Sequence, residues 1–279
     1  MWKETRFPMS DTVWMCPVCG KSLTEAGLSL VCQSRHCFDR AKKGAVYLLP
    51  PNRKHSRLPG DDPDMVRARR EFLSKGYYAH LREAVIGALS PYMGENSVLL
   101  DAGCGEGYYT AGIHAAFPGT AVCGVDISKT AANYAAKADP AGSYAVASVF
   151  HLPVLDGACS AVVSIFAPYC GEEFQRVLKP GGIFVMAIPA ARHLWELKAA
   201  VYDHPYENEV KDYALEGFTF LEKREAKREI HLDSAGDIQA LFGMTPYAYR
   251  TGAKERERLQ ALETLTVRAE FEVLTYRLR

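Results

Sequence analysis

Four residues near the N-terminus have the types and the spacing to hold a metal ion. Cys16 and Cys19 form a Cys-x-x-Cys pair, and after an interval of 12 residues Cys32 and His36 form a Cys-x-x-x-His pair. Each short loop presents two side chains to one side of a turn, so three thiolates and one imidazole can converge tetrahedrally, the geometry zinc takes with sulfur and nitrogen ligands. Cys37 rivals His36 for the fourth place, because neighbouring residues rarely ligate one ion together. Four protein ligands close the site, which makes it structural rather than catalytic. Such an ion would stabilise a module too small to build its own core. The remaining cysteines, Cys104, Cys123, Cys159 and Cys170, lie scattered in apolar or glycine-rich surroundings and read as packing residues.

A second chemistry is written in residues 98–110, Val-Leu-Leu-Asp-Ala-Gly-Cys-Gly-Glu-Gly-Tyr-Tyr-Thr: an apolar strand, a glycine turn and a helix start. Glycines let the backbone turn tightly and let a ligand approach the main chain at the carboxyl end of a strand. A dinucleotide fingerprint would space its glycines Gly-x-Gly-x-x-Gly, but here the third glycine comes one residue early and Tyr108 takes its slot. Asp101 with Gly103, Gly105 and Gly107 instead resembles motif I of the class I S-adenosylmethionine-dependent methyltransferases. The next strand ends at Asp126, 19 residues after Gly107, where a carboxylate can accept both ribose hydroxyls. Ser148, followed by His151-Leu152-Pro153 and Asp156, resembles that family's adenine-contacting turn, and Lys179-Pro180-Gly181-Gly182 its later signature turn.

These motifs need a scaffold, and the hydrophobic pattern supplies one. Strands are expected at 97–100, 121–125, 143–147, 161–165 and 183–188, alternating with helices at 108–116, 129–137 and 172–178. Strand and helix in alternation imply a parallel sheet covered on both faces. Two helices, 64–74 capped by Asp62 or Asp64 and 78–90, precede it. A helix near 192–202, strands at 218–221 and 227–232, a helix at 233–242 and a strand at 267–278 follow. Residues 16–50, with a short strand at 44–49, form the metal module, and the proline-containing stretch 50–63 is the linker. Residues 1–60 are therefore expected as a zinc-binding domain and 61–279 as the cofactor-binding domain. The fold class is α/β, a Rossmann-like, mostly parallel sheet with a small N-terminal zinc-binding domain.

Composition narrows the function. The 279 residues are 48% hydrophobic and 24% charged, which is globular and excludes disordered or coiled-coil chains. The longest weakly polar run, 157–170, is too short for a membrane-spanning helix, and the opening MWKETRFPMSDTVW has no apolar signal core, so the chain reads as cytoplasmic. The net charge is zero but unevenly spread: residues 1–75 carry 14 Lys+Arg against 8 Asp+Glu. From Arg35 to Arg57 there are Arg35, Arg40, Lys42, Lys43, Arg53, Lys54 and Arg57 against Asp39 alone, a basic appendage suited to phosphates.

Taken together, CPVC, CQSRHCFDRAKKGAVYLLP, PGD at 59–61, ARREFLSKGYY at 68–78, LLDAGCGEGYYT, FAP at 166–168, KPGG and RHLWELK at 192–198 resemble the large-subunit (23S) ribosomal RNA guanine-N1 methyltransferases, including relatives linked to macrolide resistance. The resemblance favours His36 over Cys37 as the fourth ligand. It implies that the zinc module helps grip an rRNA hairpin, that S-adenosylmethionine donates the methyl group, and that the enzyme is a homodimer. It also implies that Tyr78, Gly105, Glu106 and His193 contact the cofactor.

Guanine N1 lies on the Watson–Crick edge and must be unpaired or flipped out to be reached. Phe166-Ala167-Pro168-Tyr169 lacks the Asn or Asp with which enzymes acting on exocyclic amines accept amine hydrogens, so a ring nitrogen is compatible. Phe166 and Tyr169 are the candidates for stacking, and His193 or Glu172 for the base, with no choice between them. A small-molecule methyltransferase and a non-catalytic RNA-binding factor are the competing readings. The first leaves the basic zinc module without a task, and the second leaves the intact Asp101, glycines and Asp126 unexplained.

Overall fold

A computed structural model describes residues 13–41, 44–51, 60–209, 212–249 and 251–279. Lys42, Lys43, Arg53, Lys54 and Arg57 of the basic stretch lie outside the described residues.

The chain opens with an antiparallel meander, β1 (Leu23–Ala26), β2 (Ser29–Cys32) and β3 (Cys37–Asp39). Gly27, at φ +66°, makes the tight return between β1 and β2. The following strand, β4 (Val46–Tyr47), bridges back to the ribbon, Val46 pairing antiparallel with Arg40. It also runs parallel to β7 (Ser143–Val146) and so joins the metal module to the edge of the large sheet. Val46 is fully buried and has more apolar surface to meet on the large sheet than a three-stranded ribbon can offer.

Helix α1 (Pro63–Ser74) starts where its side chains dictate: Asp62 accepts hydrogen bonds from the N–H groups of Asp64 and Met65, and Pro63 occupies the first turn. Helix α2 (Ala79–Leu89) turns Leu81, Val85 and Leu89 inward. Strand β5 (Val98–Ala102), helix α3 (Tyr108–Ala116), strand β6 (Ala121–Asp126) and helix α4 (Lys129–Ala138) lead to β7. Then come β8 (Cys159–Ile165), α5 (Gly171–Val177), β9 (Leu178–Pro189), α6 (Trp195–Val201), β10 (Phe218–Leu232), α7 (Ala235–Gly243), a 3-10 turn (Pro246–Tyr249), α8 (Ala253–Gln260) and β11 (Leu265–Leu278).

The large sheet has the order β10-β11-β9-β8-β5-β6-β7-β4; β11 runs antiparallel to both of its neighbours and the other pairings are parallel. Chain order reverses between β5 and β8, which opens a crevice above their carboxyl ends. The pleat divides the apolar residues between two faces. Leu99, Ala161, Val163 and Val185 pack against α1, α2, α3 and α6, whereas Leu100, Cys123, Val162 and Phe184 form a second cluster with α5 and the ribbon. The two strands expected at 218–221 and 227–232 are one continuous β10, irregular between Phe220 and Glu222, because its charged middle, Glu222 to Arg228, lies at the sheet's edge while β11 supplies the ladder. Helix α8 was not anticipated: only Leu259 is buried in it, so its hydrophobic signal is weak.

Candidate active site

The metal ligands come together first. Cys16, Cys19, Cys32 and His36 place their donor atoms within 4.8 Å of one another. Sγ of Cys16 and of Cys32 lie 3.5 and 3.4 Å from Nδ1 of His36, and the Cys19 and Cys32 sulfurs are 3.6 Å apart, the edge lengths of a tetrahedron around zinc. Arg35, at φ +64°, turns the chain so that His36 points inward while Cys37 starts β3 exposed and outside the cluster. A backbone hydrogen bond at Lys21 brings the Cys19 thiol down to about 6, so it is a thiolate at neutral pH. The donor set fits structural zinc.

The ribbon is docked rather than loose. Trp14 bridges to Val154, its indole N–H donates to Ser143 Oγ at 2.8 Å, and the N–H of Met15 donates to the carbonyl of Pro153.

Above the crevice lies a cavity of about 750 Å³, within the range of about 300–1,000 Å³ that small-molecule sites occupy. Its floor is the carboxyl ends of five neighbouring strands, β7, β6, β5, β8 and β9, through Ser148, Asp126, Gly103, Phe166 and Pro189. At about 4.8 Å per strand that row spans roughly 19 Å, long enough for a nucleoside with an amino-acid arm and a separate planar base.

The half above β5–β7, the nucleoside half of the expected site, is built of glycine backbone and a carboxylate. The N–H groups of Gly103 and Cys104 donate to the Val125 carbonyl, which pins the glycine turn to β6. The Asp126 carboxylate accepts from the N–H of Gly105 at 3.0 Å and from that of Ser128 at 2.7 Å, so its remaining lone pairs face the cavity. Burial pushes this carboxyl upward, and the two backbone donors oppose the shift. Gly105 has φ +55°, and a Cβ built on it would meet nothing within 4 Å; the space there is the cavity itself. A cradle of glycine backbone, a fixed carboxylate with free lone pairs and open volume beside them fit S-adenosylmethionine. Glu106 lies buried in the wall, its carboxyl raised by burial.

Tyr78, Gly103, Gly105, Glu106, Asp126, Ser148 and His193 all line the cavity, while Asp101 and Gly107 stand behind it. Oδ2 of Asp101 accepts from Thr110 Oγ1 at 2.6 Å, its Oδ1 has no partner, and burial pushes its carboxyl up to about 7. Gly107, at φ +91°, caps α3, and a Cβ there would sit 2.7 Å from Cα of Ala135.

The half above β8 and β9 is aromatic. Phe166 takes φ +57°, packs against Phe271 with ring centroids 5.4 Å apart and leaves its other face exposed at the mouth. Tyr169 instead packs on Phe174 and Phe184, outside the cavity lining. The geometry also corrects the expectation of His193 as a base. Its Nδ1 accepts the N–H of Glu270 at 3.2 Å, so Nε2 carries the ring proton, and burial with the nearby Lys198 charge brings its pKa down to about 3. No lone pair is left to take a proton from a substrate. Glu172 is exposed on the first turn of α5 and does not line the cavity.

Other walls carried no motif. Arg69 and Asp61, an ion pair at the start of α1, border the nucleoside half; Leu241, Met244, Thr245 and Tyr247, inserted between β10 and β11, border the aromatic half. The PGD at 59–61 and the ARREFLSKGYY at 68–78 hinted at the first group through the family resemblance alone, and nothing in the sequence marked the second. Arg176 of α5 ties down the 152–156 turn, donating to the Leu152 and Val154 carbonyls and to Glu173 and Asp156.

Two sequence families match the chain: one described as "RlmA, N-terminal" over residues 14–57 and one described as "Methyltransferase domain" over residues 100–186. A Micromonospora griseorubida protein assigned as a 23S rRNA (guanine-N(1)-)-methyltransferase is 32% identical over 94% of this chain and 96% of its own. The 23S rRNA (guanine(748)-N(1))-methyltransferase of Streptomyces fradiae is 36% identical over 67% of this chain and 66% of its own, and a Bacillus subtilis protein assigned to the same guanine-N1 group is 29% identical over 94% and 96%. The cofactor of the present chain is S-adenosylmethionine and the ion of its ribbon is structural zinc. With its zinc ribbon, its glycine cradle and this end-to-end identity, the chain belongs to the 23S rRNA guanine-N1 methyltransferase family.

Proposed function

We propose that the protein transfers a methyl group from S-adenosylmethionine to N1 of a guanine in a 23S rRNA hairpin. The observation that carries this reading is a single cavity with a nucleoside half and an aromatic half, in a chain of this family. S-adenosylmethionine supplies an electrophilic methyl sulfonium. The residues of the chain orient the partners: Asp126 accepts the ribose hydroxyls, the Gly103–Gly107 turn and Glu106 border the amino-acid arm, Ser148 borders the adenine, and Tyr78 and His193 close the wall between the two halves. Phe166 offers its exposed face to a base drawn out of the RNA stack.

Among the described residues lining the aromatic half there is no carboxylate, and the His193 lone pair is taken. The N1 proton therefore passes to solvent, and turnover is expected to rise with pH above neutrality as the weakly acidic N1 ionises. The hairpin and the homodimer rest on the family resemblance, and a ribosomal substrate makes the enzyme cytoplasmic.

The test is transfer of labelled methyl to unmodified large-subunit rRNA with the product nucleoside identified by mass spectrometry. 1-Methylguanosine is expected, and Gly105→Val should lower cofactor affinity at least about 100-fold by filling the cradle. Incorporation into another nucleoside, or none, overturns the reading.

A further inference from the structure

Lys198 is buried, 1% exposed, on a helix that packs against the sheet, and none of the described carboxylates pairs with it. Its Nζ donates to the Tyr206 carbonyl at 2.9 Å and to Oδ1 of Asn208 at 2.8 Å, and it lies 4.6 and 4.9 Å from the ring centroids of Tyr206 and Tyr247. Taking an ammonium out of water is costly. A methionine would fill the same space without that cost, so the charge itself has an effect on a neighbour.

That neighbour is Asn208. The ammonium has only donors, so it dictates that the amide oxygen faces inward. Nδ2 then donates one hydrogen to the Ala190 carbonyl at 2.8 Å, and the Asn208 backbone N–H donates to the carbonyl of Ala191. The side-chain amide is held at two points and its backbone at a third, just beyond the end of β9, and the residue lines the aromatic half of the cavity. Of its two donors and one acceptor, the acceptor and one donor are used within the protein. What remains for a ligand is one N–H.

We infer that Asn208 donates this hydrogen bond to O6 of the target guanine and that Lys198 is the positioning residue that holds the amide in that sense; the inference rests on the methyl-transfer reading above. O6 is conjugated with N1, so charge left on N1 as its proton departs is shared with O6, and a fixed donor there stabilises the developing anion. The same donor faces an amino group at position 6 of adenine, which gives the cavity a reason to reject adenine. In the transfer, the N1 electron pair forms the bond to the methyl carbon, the carbon–sulfur bond breaks with its electrons going to sulfur, and the N1 proton goes to water.

The experiment compares wild type, Asn208→Ala, Lys198→Met and the double variant on an unmodified rRNA hairpin transcript, and repeats wild type and Asn208→Ala on the same hairpin with 6-thioguanine, a poor acceptor, at the target. Asn208→Ala should lower kcat by about 100-fold while S-adenosylmethionine affinity and the KM for RNA stay within about twofold. Lys198→Met should do the same, and the double variant should be no slower than the slower single. The sulfur substitution should slow wild type but not Asn208→Ala. Since Asn208 sits on a connection rather than in the core, its variant keeps the test open even where Lys198→Met fails to fold. An unaltered kcat, additive losses, or a parallel fall in cofactor affinity overturns the assignment. Absence of methyl transfer by wild type overturns the reaction reading instead.

Discussion

The zinc ribbon and the sheet beside it are stabilised by different means. In residues 13–41 the buried side chains are Val13, Trp14, Cys16, Leu23, Leu30 and Cys32, and two of these are metal ligands. All six belong to the apolar cluster that also holds Leu100, Cys123 and Phe184 of the large sheet. The ribbon thus has no core of its own: zinc fixes its interior, and its apolar side is finished by docking. The sheet buries complete layers on both faces and needs neither. A small module can be specified by four ligands, whereas a cavity whose walls must hold to fractions of an ångström needs a packed scaffold.

Removing zinc breaks the comparison most severely. Apparent binding energies of structural zinc in such small modules are about 10–16 kcal/mol, so chelation or Cys32→Ser should unfold the ribbon outright. Exposure of Trp14 should red-shift the tryptophan emission, while S-adenosylmethionine binding measured by calorimetry should stay within severalfold. Loss of cofactor binding in step with the emission shift would show that the sheet depends on the ribbon.

Glycine substitutions sharpen the contrast. Gly27 in the ribbon and Gly107 under the cofactor turn both have positive φ, but a Cβ at Gly27 meets nothing, and one at Gly107 meets the backbone of Ala135. Urea unfolding should put Gly27→Ala at about 1 kcal/mol and Gly107→Ala at about 3 kcal/mol or more, because the second adds a steric clash to the backbone strain. Equal costs would mean that α3 and α4 move apart freely.

The smallest expected effect is on pH dependence. Asp101 has its folded-state pKa raised to about 7 from an unfolded 3.8, because it is buried. A raised carboxyl contributes stability that is full below the unfolded value and is lost as pH rises through the folded one, so the cofactor-free protein should lose stability between about pH 4 and 7. Asp101→Asn should flatten that slope in urea titrations run at successive pH values, and an unchanged slope would assign it to another group.

How far the sequence carried this structure depended on whether a feature was local. Asp62 announced α1, the glycine turn announced the nucleoside half, and ligand spacing announced the metal, since each is a property of a few consecutive residues. The second pairing of β4 was hidden because Val46 and Tyr47 look alike whether they pair within the ribbon alone or also with a strand formed much later in the chain. His193 suggested a base by residue type, but the backbone N–H that occupies its Nδ1 comes from Glu270 on a distant strand. Asn208 and Tyr247 sit in no periodic pattern. Their place in the cavity follows from Lys198, and neither residue alone carries that information.

The pairing of β4 with β7 also sets an order of events during synthesis. Val46 and Tyr47 leave the ribosome nearly a hundred residues before their partners Ala145 and Val146. At roughly 5–20 residues per second, that is a delay of about 5–20 s. Throughout it the ligand quartet is already complete, so the nascent chain can capture zinc while Trp14, Leu23, Val46 and Leu48 have no sheet to cover them. The metal is then the earliest tertiary constraint the chain acquires, and the ribbon waits, folded but with its apolar side bare, for the sheet to be made.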